Sequence, residues 1–271
     1  MKLRSGYLEQ SEFNEAINDH KETRFKSQLK CFTDHNGFRS GEIHAFIAPK
    51  GGGKSTLSRT IVSELLYSDH NILLYLSEEE AQKYLMEINS NVRQIYGADH
   101  ERATKILDKL KVVSELDLKI TNEDQWLRDI KFIIEEECID IIVLDNFTTS
   151  FLGELFVSKQ SQILRNLKKL AAKQDVPILI FFHTAKGAAQ KLFGGDDVRG
   201  SATAVNLGSY NYILFYFRSI NECFLWTEKS RYHRRANGQV YQLQFDGRAG
   251  IFIDAKVSNM DGLKDASKRN A

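Results

Sequence analysis

Proline is nearly absent from this chain, with two in 271 residues, and neither an internal repeat nor a low-complexity segment is present. Solenoid, fibrous and disordered architectures are therefore excluded. Cysteine is scarce too: Cys31, Cys138 and Cys223 are odd in number, widely spaced and form no CxxC pair, which excludes a disulfide framework and a structural zinc site. They read as reduced, partly buried thiols. No stretch approaches the roughly 18 apolar residues needed to span a bilayer, and the N-terminus MKLRSGYLEQ lacks the apolar core of a signal peptide. A cytoplasmic protein with no membrane partner is expected. Excess charge is missing as well: 37 lysines and arginines against 36 acidic residues leave a net charge of +1. The chain as a whole thus exerts no pull on nucleic acid, and any such contact must be local. What is present is ordinary globular composition, 42% hydrophobic and 27% charged, in a chain long enough for a sizeable core. One large folded enzyme domain with short appendages is expected.

Residues 8–21 carry Leu8, Phe13, Ala16 and Ile17 at helical spacing and lead into a polar, basic stretch up to Lys30. Residues 1–36 therefore read as an N-terminal linker or helix. From Gly41 onward, short apolar runs alternate with helical segments: EIHAFIA, a helix from Lys54 to about Tyr67, NILLYLS, and helical segments to about Leu110. A helix capped by Asn122 leads into IDIIVLD, and a helix over about 158–173 stops before Pro177 and the run ILIFFH. Continuous apolar runs suit strands buried on both faces, so the fold class is α/β with a mainly parallel sheet flanked by helices. From Tyr210 the pattern is strand after strand (YNYILFYF, NECFLWTEK, QVYQLQFD, GIFID), with Asn237-Gly238 marking a tight hairpin-type turn. Antiparallel C-terminal strands are expected to extend the sheet. The core domain is read as 37–255, and 256–271 as a flexible, frayed tail.

The strongest chemical signal is Ala48-Pro49-Lys50-Gly51-Gly52-Gly53-Lys54-Ser55-Thr56, which ends an apolar strand and opens a helix. Glycines let backbone N–H groups close around phosphates at a helix N-terminus, Lys54 supplies a point charge for the β and γ phosphates, and Ser55 can ligate Mg2+. The pattern departs from GxxxxGK[ST] at its first position, where Ala48 replaces glycine. Asp145 ends IDIIVLD, where a carboxylate can hold Mg2+ beside such a loop. The residue after it is Asn146, so the base that activates water must lie elsewhere. Glu78 and Glu79, following the strand NILLYLS, are the candidates. ATP and Mg2+ are the implied cofactors.

Taken together, residues 37–254 resemble the RecA-like P-loop motor domain of DnaB-type hexameric replicative helicases, particularly the short plasmid and phage type. The segment Gly37-Phe38-Arg39-Ser40-Gly41-Glu42 resembles the family's lead-in to its phosphate loop, and Leu76-Ser77-Glu78 resembles the segment with its catalytic glutamate, which implies Glu78 as the base. By the same resemblance His183, ending the strand after Asp145, senses the γ-phosphate. The polar stretch 185–200 matches the central DNA loop in place, with Lys186, Lys191 and Arg199 as candidate DNA contacts. Lys229 and Arg231 resemble a lysine and arginine inserted into a neighbour's ATP site, although Arg234 and Arg235 compete for that role. The resemblance implies an ATP-dependent helicase in a homo-oligomer, a hexameric ring on single-stranded DNA, with a replication initiator or primase as a further partner. A RecA-like ATPase that is no helicase (a recombination mediator, a filament former or a regulatory ATPase) is the alternative. A small-molecule kinase accounts for the phosphate loop but not for His183 or the basic segment.

Overall fold

The computed structural model describes residues 24–115, 122–147, 157–184, 192–194 and 206–270. The expected helix at 8–21 and the loop residues Lys186, Lys191 and Arg199 lie outside them.

In chain order the elements are β1 (Arg24–Phe25), α1 (Lys30–Thr33), β2 (Phe38–Arg39), β3 (Ile43–Ala48), α2 (Lys54–Tyr67), β4 (Ile72–Leu76), α3 (Ala81–Tyr96), α4 (His100–Leu107), β5 (Leu110–Ser114), α5 (Glu123–Glu136), β6 (Ile141–Asp145), α6 (Val157–Gln174), β7 (Ile178–His183), β8 (Tyr210–Phe217), β9 (Glu222–Ser230), β10 (Val240–Asp246), β11 (Ile251–Ser258) and α7 (Met260–Asn270). Among the described residues, nine strands form one sheet in the order β11-β10-β9-β8-β3-β7-β6-β4-β5. From β8 to β5 all pairings are parallel, while β9, β10 and β11 add antiparallel, as the sequence pattern predicts.

The apolar runs are continuous because both faces of the central strands are covered. Phe46, Val143 and Phe181 pack toward Leu57, Ile61 and Leu65 of α2 and Tyr84, Ile88 and Val92 of α3. Their neighbours Ala45, Ile47, Leu144 and Ile180 pack toward Trp126 and Ile130 of α5 and Ile163 and Leu167 of α6. The Asn122 side chain caps α5 by accepting from the N–H groups of Asp124 and Gln125, as expected of that residue type.

Four expectations need correction. In place of a frayed tail over 256–271, β11 continues to Ser258 and 260–270 form α7, whose Leu263 and Ala266 are fully buried in the core. Residues 24–36 belong to the body rather than to a linker: β1 pairs with β2, and Leu29, Cys31 and Phe32 are buried. Leu110 closes no helix; it begins edge strand β5, whose half-exposed middle dilutes its apolar signal. Asn237 (φ −60°, ψ 127°) and Gly238 (φ +81°) have the dihedrals of a type II turn, within a longer β9–β10 connection that includes one 3-10 turn.

Candidate active site

In a parallel sheet the carboxyl ends of the strands share one edge, where loops and helix N-termini can surround a ligand. Here Ala48 lies opposite His183 at the ends of β3 and β7, and Asp145 lies opposite Leu76 at the ends of β6 and β4. Residues far apart in sequence are thereby set side by side across four adjacent strands.

Ala48 is the last residue of β3, fully buried and free of positive φ, so alanine there is unstrained. The chain then turns through Pro49, whose carbonyl accepts from Gly52 N–H at 3.0 Å, to Gly53, which starts α2 in the left-handed region at φ +88°. Gly51 is also left-handed (φ +70°), and a Cβ there would run into the Arg218 guanidinium, 2.2 Å away. The loop and helix N-terminus thus present N–H groups and positive dipole to one cavity.

Lys54 is 6% exposed. Its ammonium donates to the carbonyls of Ala48 (3.2 Å) and Pro49 (3.0 Å) and to His183 Nδ1 (2.7 Å). Burial pushes its pKa down to about 8, with Asp145 and Glu78 pulling the other way. Because Nδ1 accepts from Lys54, the His183 ring carries its proton on Nε2, which faces Glu78 Oε1 at 3.5 Å and the Asn146 amide at 3.1 Å. Burial, then the charge of Lys54, holds this histidine below its ordinary pKa. Asp145 is buried beneath the loop; burial pushes its carboxyl up to about 6, opposed by a hydrogen bond from Ser58 and by the charge of Lys54.

Of the two candidate bases, Glu78 lines the cavity with Lys54, Ser55, Thr56, Asn146 and His183. Glu79 turns instead to Arg59 on α2 (3.4 Å), which also binds Glu87 on α3 (2.6 Å), and its carbonyl accepts from Ser114 Oγ. Glu78 therefore holds the position next to the phosphate loop.

Lys229 and Arg231 are not part of this cluster. Both donate to the Asn206 carbonyl, at 3.1 and 2.8 Å. Lys229 pairs with Asn211, which pairs with Ala45, so it sits two strands across and three residues back from Ala48, about 10 Å in each direction. The segment is anchored there: Tyr232 donates to Glu42 at 2.6 Å, Arg39 stacks over the Tyr232 ring at 3.8 Å, and Lys168 and Ser209 also bind Glu42.

The cavity encloses about 650 Å³, within the range that holds small-molecule ligands, and extends from the phosphate loop onto β8–β11. Its far wall was not legible from sequence. Arg218, which donates to the Gly51 carbonyl at 3.3 Å, and Phe245, Phe252 and Lys256 belong to no motif. They reach the loop only because β8 pairs with β3 and the later strands follow it.

No family model matches the sequence, and no curated protein does. Solved structures do match. The ATPase domain of a helicase superposes with a TM-score of 0.68 at 14% identity, covering 90% of this chain and 96% of that one. The KaiC-like protein PH0186 from the hyperthermophilic archaeon Pyrococcus horikoshii OT3 gives 0.66 at 18% identity (88% and 99% covered). The RadB recombinase gives 0.66 at 13% identity (86% and 100% covered). The fold is RecA-like. At these identities the similarity speaks for architecture, and the chemistry must be argued from the residues.

Proposed function

We propose that this chain is an ATP-hydrolysing motor that assembles into a homo-oligomeric, hexameric ring and translocates on single-stranded DNA as a replicative DNA helicase. The observation that supports this reading is a separation. Lys54, Glu78, Asp145 and His183 converge at the carboxyl edge of the sheet, while Lys229 and Arg231 are held away from that edge by Asn206 and the Glu42 anchor. A basic pair that cannot serve its own phosphate loop is suited to a neighbour's.

In this reading residues 48–56 bind the triphosphate through backbone N–H groups. Lys54 exchanges its carbonyl and histidine partners for phosphate oxygens, and Glu78 orients the attacking water. The donor chemistry also fits Mg2+: the Ser55 hydroxyl and the buried Asp145 carboxylate are hard oxygen ligands, and Asp145 has its pKa raised by burial, a state that a nearby cation relieves. When bound, that ion neutralises phosphate charge. His183 touches both Lys54 and Glu78, so displacement of Lys54 by a γ-phosphate is felt directly by the histidine at the end of β7. From there the chain enters the stretch containing Lys186, Lys191 and Arg199, the proposed DNA contacts. An initiator or primase would be recruited, and the setting is the cytoplasm; no helix among the described residues is long and apolar enough to cross a membrane.

The test is ATP hydrolysis by wild type and Glu78→Ala, with and without single-stranded DNA, with oligomer size followed in the same samples. A ring whose DNA-stimulated turnover is lost in the variant is the expected result; a monomer indifferent to DNA refutes the motor reading. One observation favours a second reading, a RecA-like ATPase that is no helicase: the KaiC-like protein and the RadB recombinase superpose nearly as well as the helicase ATPase domain. Fork unwinding by a ring, as against a filament or DNA-free assembly, separates the two.

A further inference from the structure

The phosphate loop accounts for only one end of the cavity. At the other end the β10–β11 pairing slips by one residue between Gln244 and Phe245, a bulge of the kind that re-aims side chains, and Gln242, Leu243, Gln244 and Phe245 all reach the cavity. Phe252 stands against the loop, 3.8 Å from where a Gly53 Cβ would be, and Phe245 meets it edge to face with ring centroids 6.0 Å apart. Phe245 is nevertheless 49% exposed, a large apolar face left open toward the cavity. The side chains of Gln242 and Gln244 have no hydrogen-bond partner among the described residues, so paired donors and acceptors stand beside that ring. An apolar ring face flanked by amides, one ring-to-ring step outward from a phosphate loop, matches a flat heteroaromatic group joined to phosphates through a sugar.

We infer that the antiparallel wing is a nucleobase seat: Phe245 stacks on the base, Gln242 and Gln244 meet its polar edge, and the ligand class is therefore a nucleoside triphosphate rather than an inorganic polyphosphate or a phosphorylated metabolite. This rests on the phosphate-loop reading above and extends it to the other end of the ligand. The wing then does two jobs with one set of strands, since β9 also carries Lys229.

The experiment is calorimetric titration of the full chain with Mg2+ and either ATP or inorganic tripolyphosphate. Wild type is expected to bind ATP more tightly than tripolyphosphate. Phe245→Ala should weaken ATP binding about tenfold, the usual loss of a base–aromatic stack, with tripolyphosphate unchanged. Phe245→Trp should restore ATP binding, and Gln244→Ala, at another exposed position, should weaken ATP alone. Equal affinity of wild type for the two ligands, or ATP binding that Phe245→Ala leaves intact, overturns the base seat while sparing the phosphate loop. Equal weakening of both ligands by Phe245→Ala also overturns it, because the ring would then only support the loop. A chain that binds neither ligand overturns the phosphate-loop reading and the base seat together.

Discussion

Lys54 is the residue whose replacement most directly tests whether the active site is built for a ligand at the expense of the fold. Its ammonium is nearly sealed from water, and two carbonyls and a neutral imidazole are poor substitutes for hydration. A lysine held at about 8 instead of 10.5 lowers stability by about 3 kcal/mol at every pH below 8, and stability is regained as pH rises from 8 to 10.5. Lys54→Met keeps the length and apolar stem and removes the charge. Against the gain stand the lost hydrogen bonds and a buried Asp145 deprived of its nearby cation, together about 1–2 kcal/mol. The net expectation is that Lys54→Met is more stable than wild type by about 1–2 kcal/mol at pH 7, a rise in Tm of about 2–6 °C for a chain of this size.

Urea denaturation followed through Trp126 and Trp226 measures this, repeated with Mg2+ and ATP. Ligand at a hundredfold excess over its Kd should add about 2.7 kcal/mol to wild type and nothing to the variant, so that the order of stability reverses. A variant less stable than wild type by more than about 1 kcal/mol would show that Lys54 is a structural cation, and the argument that it awaits phosphate would fail. Continued stabilisation of the variant by ATP would fail it equally.

Three further outcomes are expected. Glu64 is buried on α2 and pushed up to about 7 by burial, against hydrogen bonds from Ser27 and Gln28, so its contribution is fully present below about pH 4.5 and lost as pH rises through 7. Glu64→Gln should remove up to about 3 kcal/mol of that pH dependence in denaturation curves, and the difference from wild type isolates it from His44, which burial pushes down to about 3 and which acts in the opposite direction as pH falls below 6.5. Arg231→Ala should cut turnover at least about a hundredfold without weakening ATP binding; mixing it with Glu78→Ala should recover activity if the arginine acts across an interface, and recovery of none in a mixed assembly would place it in cis. Asn122→Ala should lower stability by about 1 kcal/mol in thermal melts, since its side chain caps two N–H groups of α5.

How much was legible in the sequence depended on whether the signal was local. The phosphate loop, the Asn122 cap and the doubly buried strands are written in consecutive residues, and the α/β architecture followed from their alternation. Signals diluted by exposure were lost: β5 contributes two valines between polar neighbours at a sheet edge, and α7 offers only Leu263 and Ala266 among charges. The choice between Glu78 and Glu79 was open from composition alone, because adjacent glutamates differ only in what the fold sets opposite them. Arg59 and Ser114, from α2 and β5, engage Glu79.

The far wall of the cavity was beyond any reading of motifs, and the reason is topological. A phosphate loop is a contiguous device, so it survives in sequence as a string. A wall made from β8, β10 and β11 depends on β8 pairing with β3 rather than with an outer strand, and nothing within Gln242–Phe245 or around Arg218 encodes that pairing. The same pairing fixes where Lys229 sits, because β9 runs back along β8 away from the phosphate edge. One topological fact therefore brings Arg218 and Phe245 to the chain's own loop and takes the basic pair away from it. A permuted order that put β9 beside β3 would reverse both, which makes the strand order, rather than any single residue, the element that divides this site between what one chain supplies and what it must obtain from another.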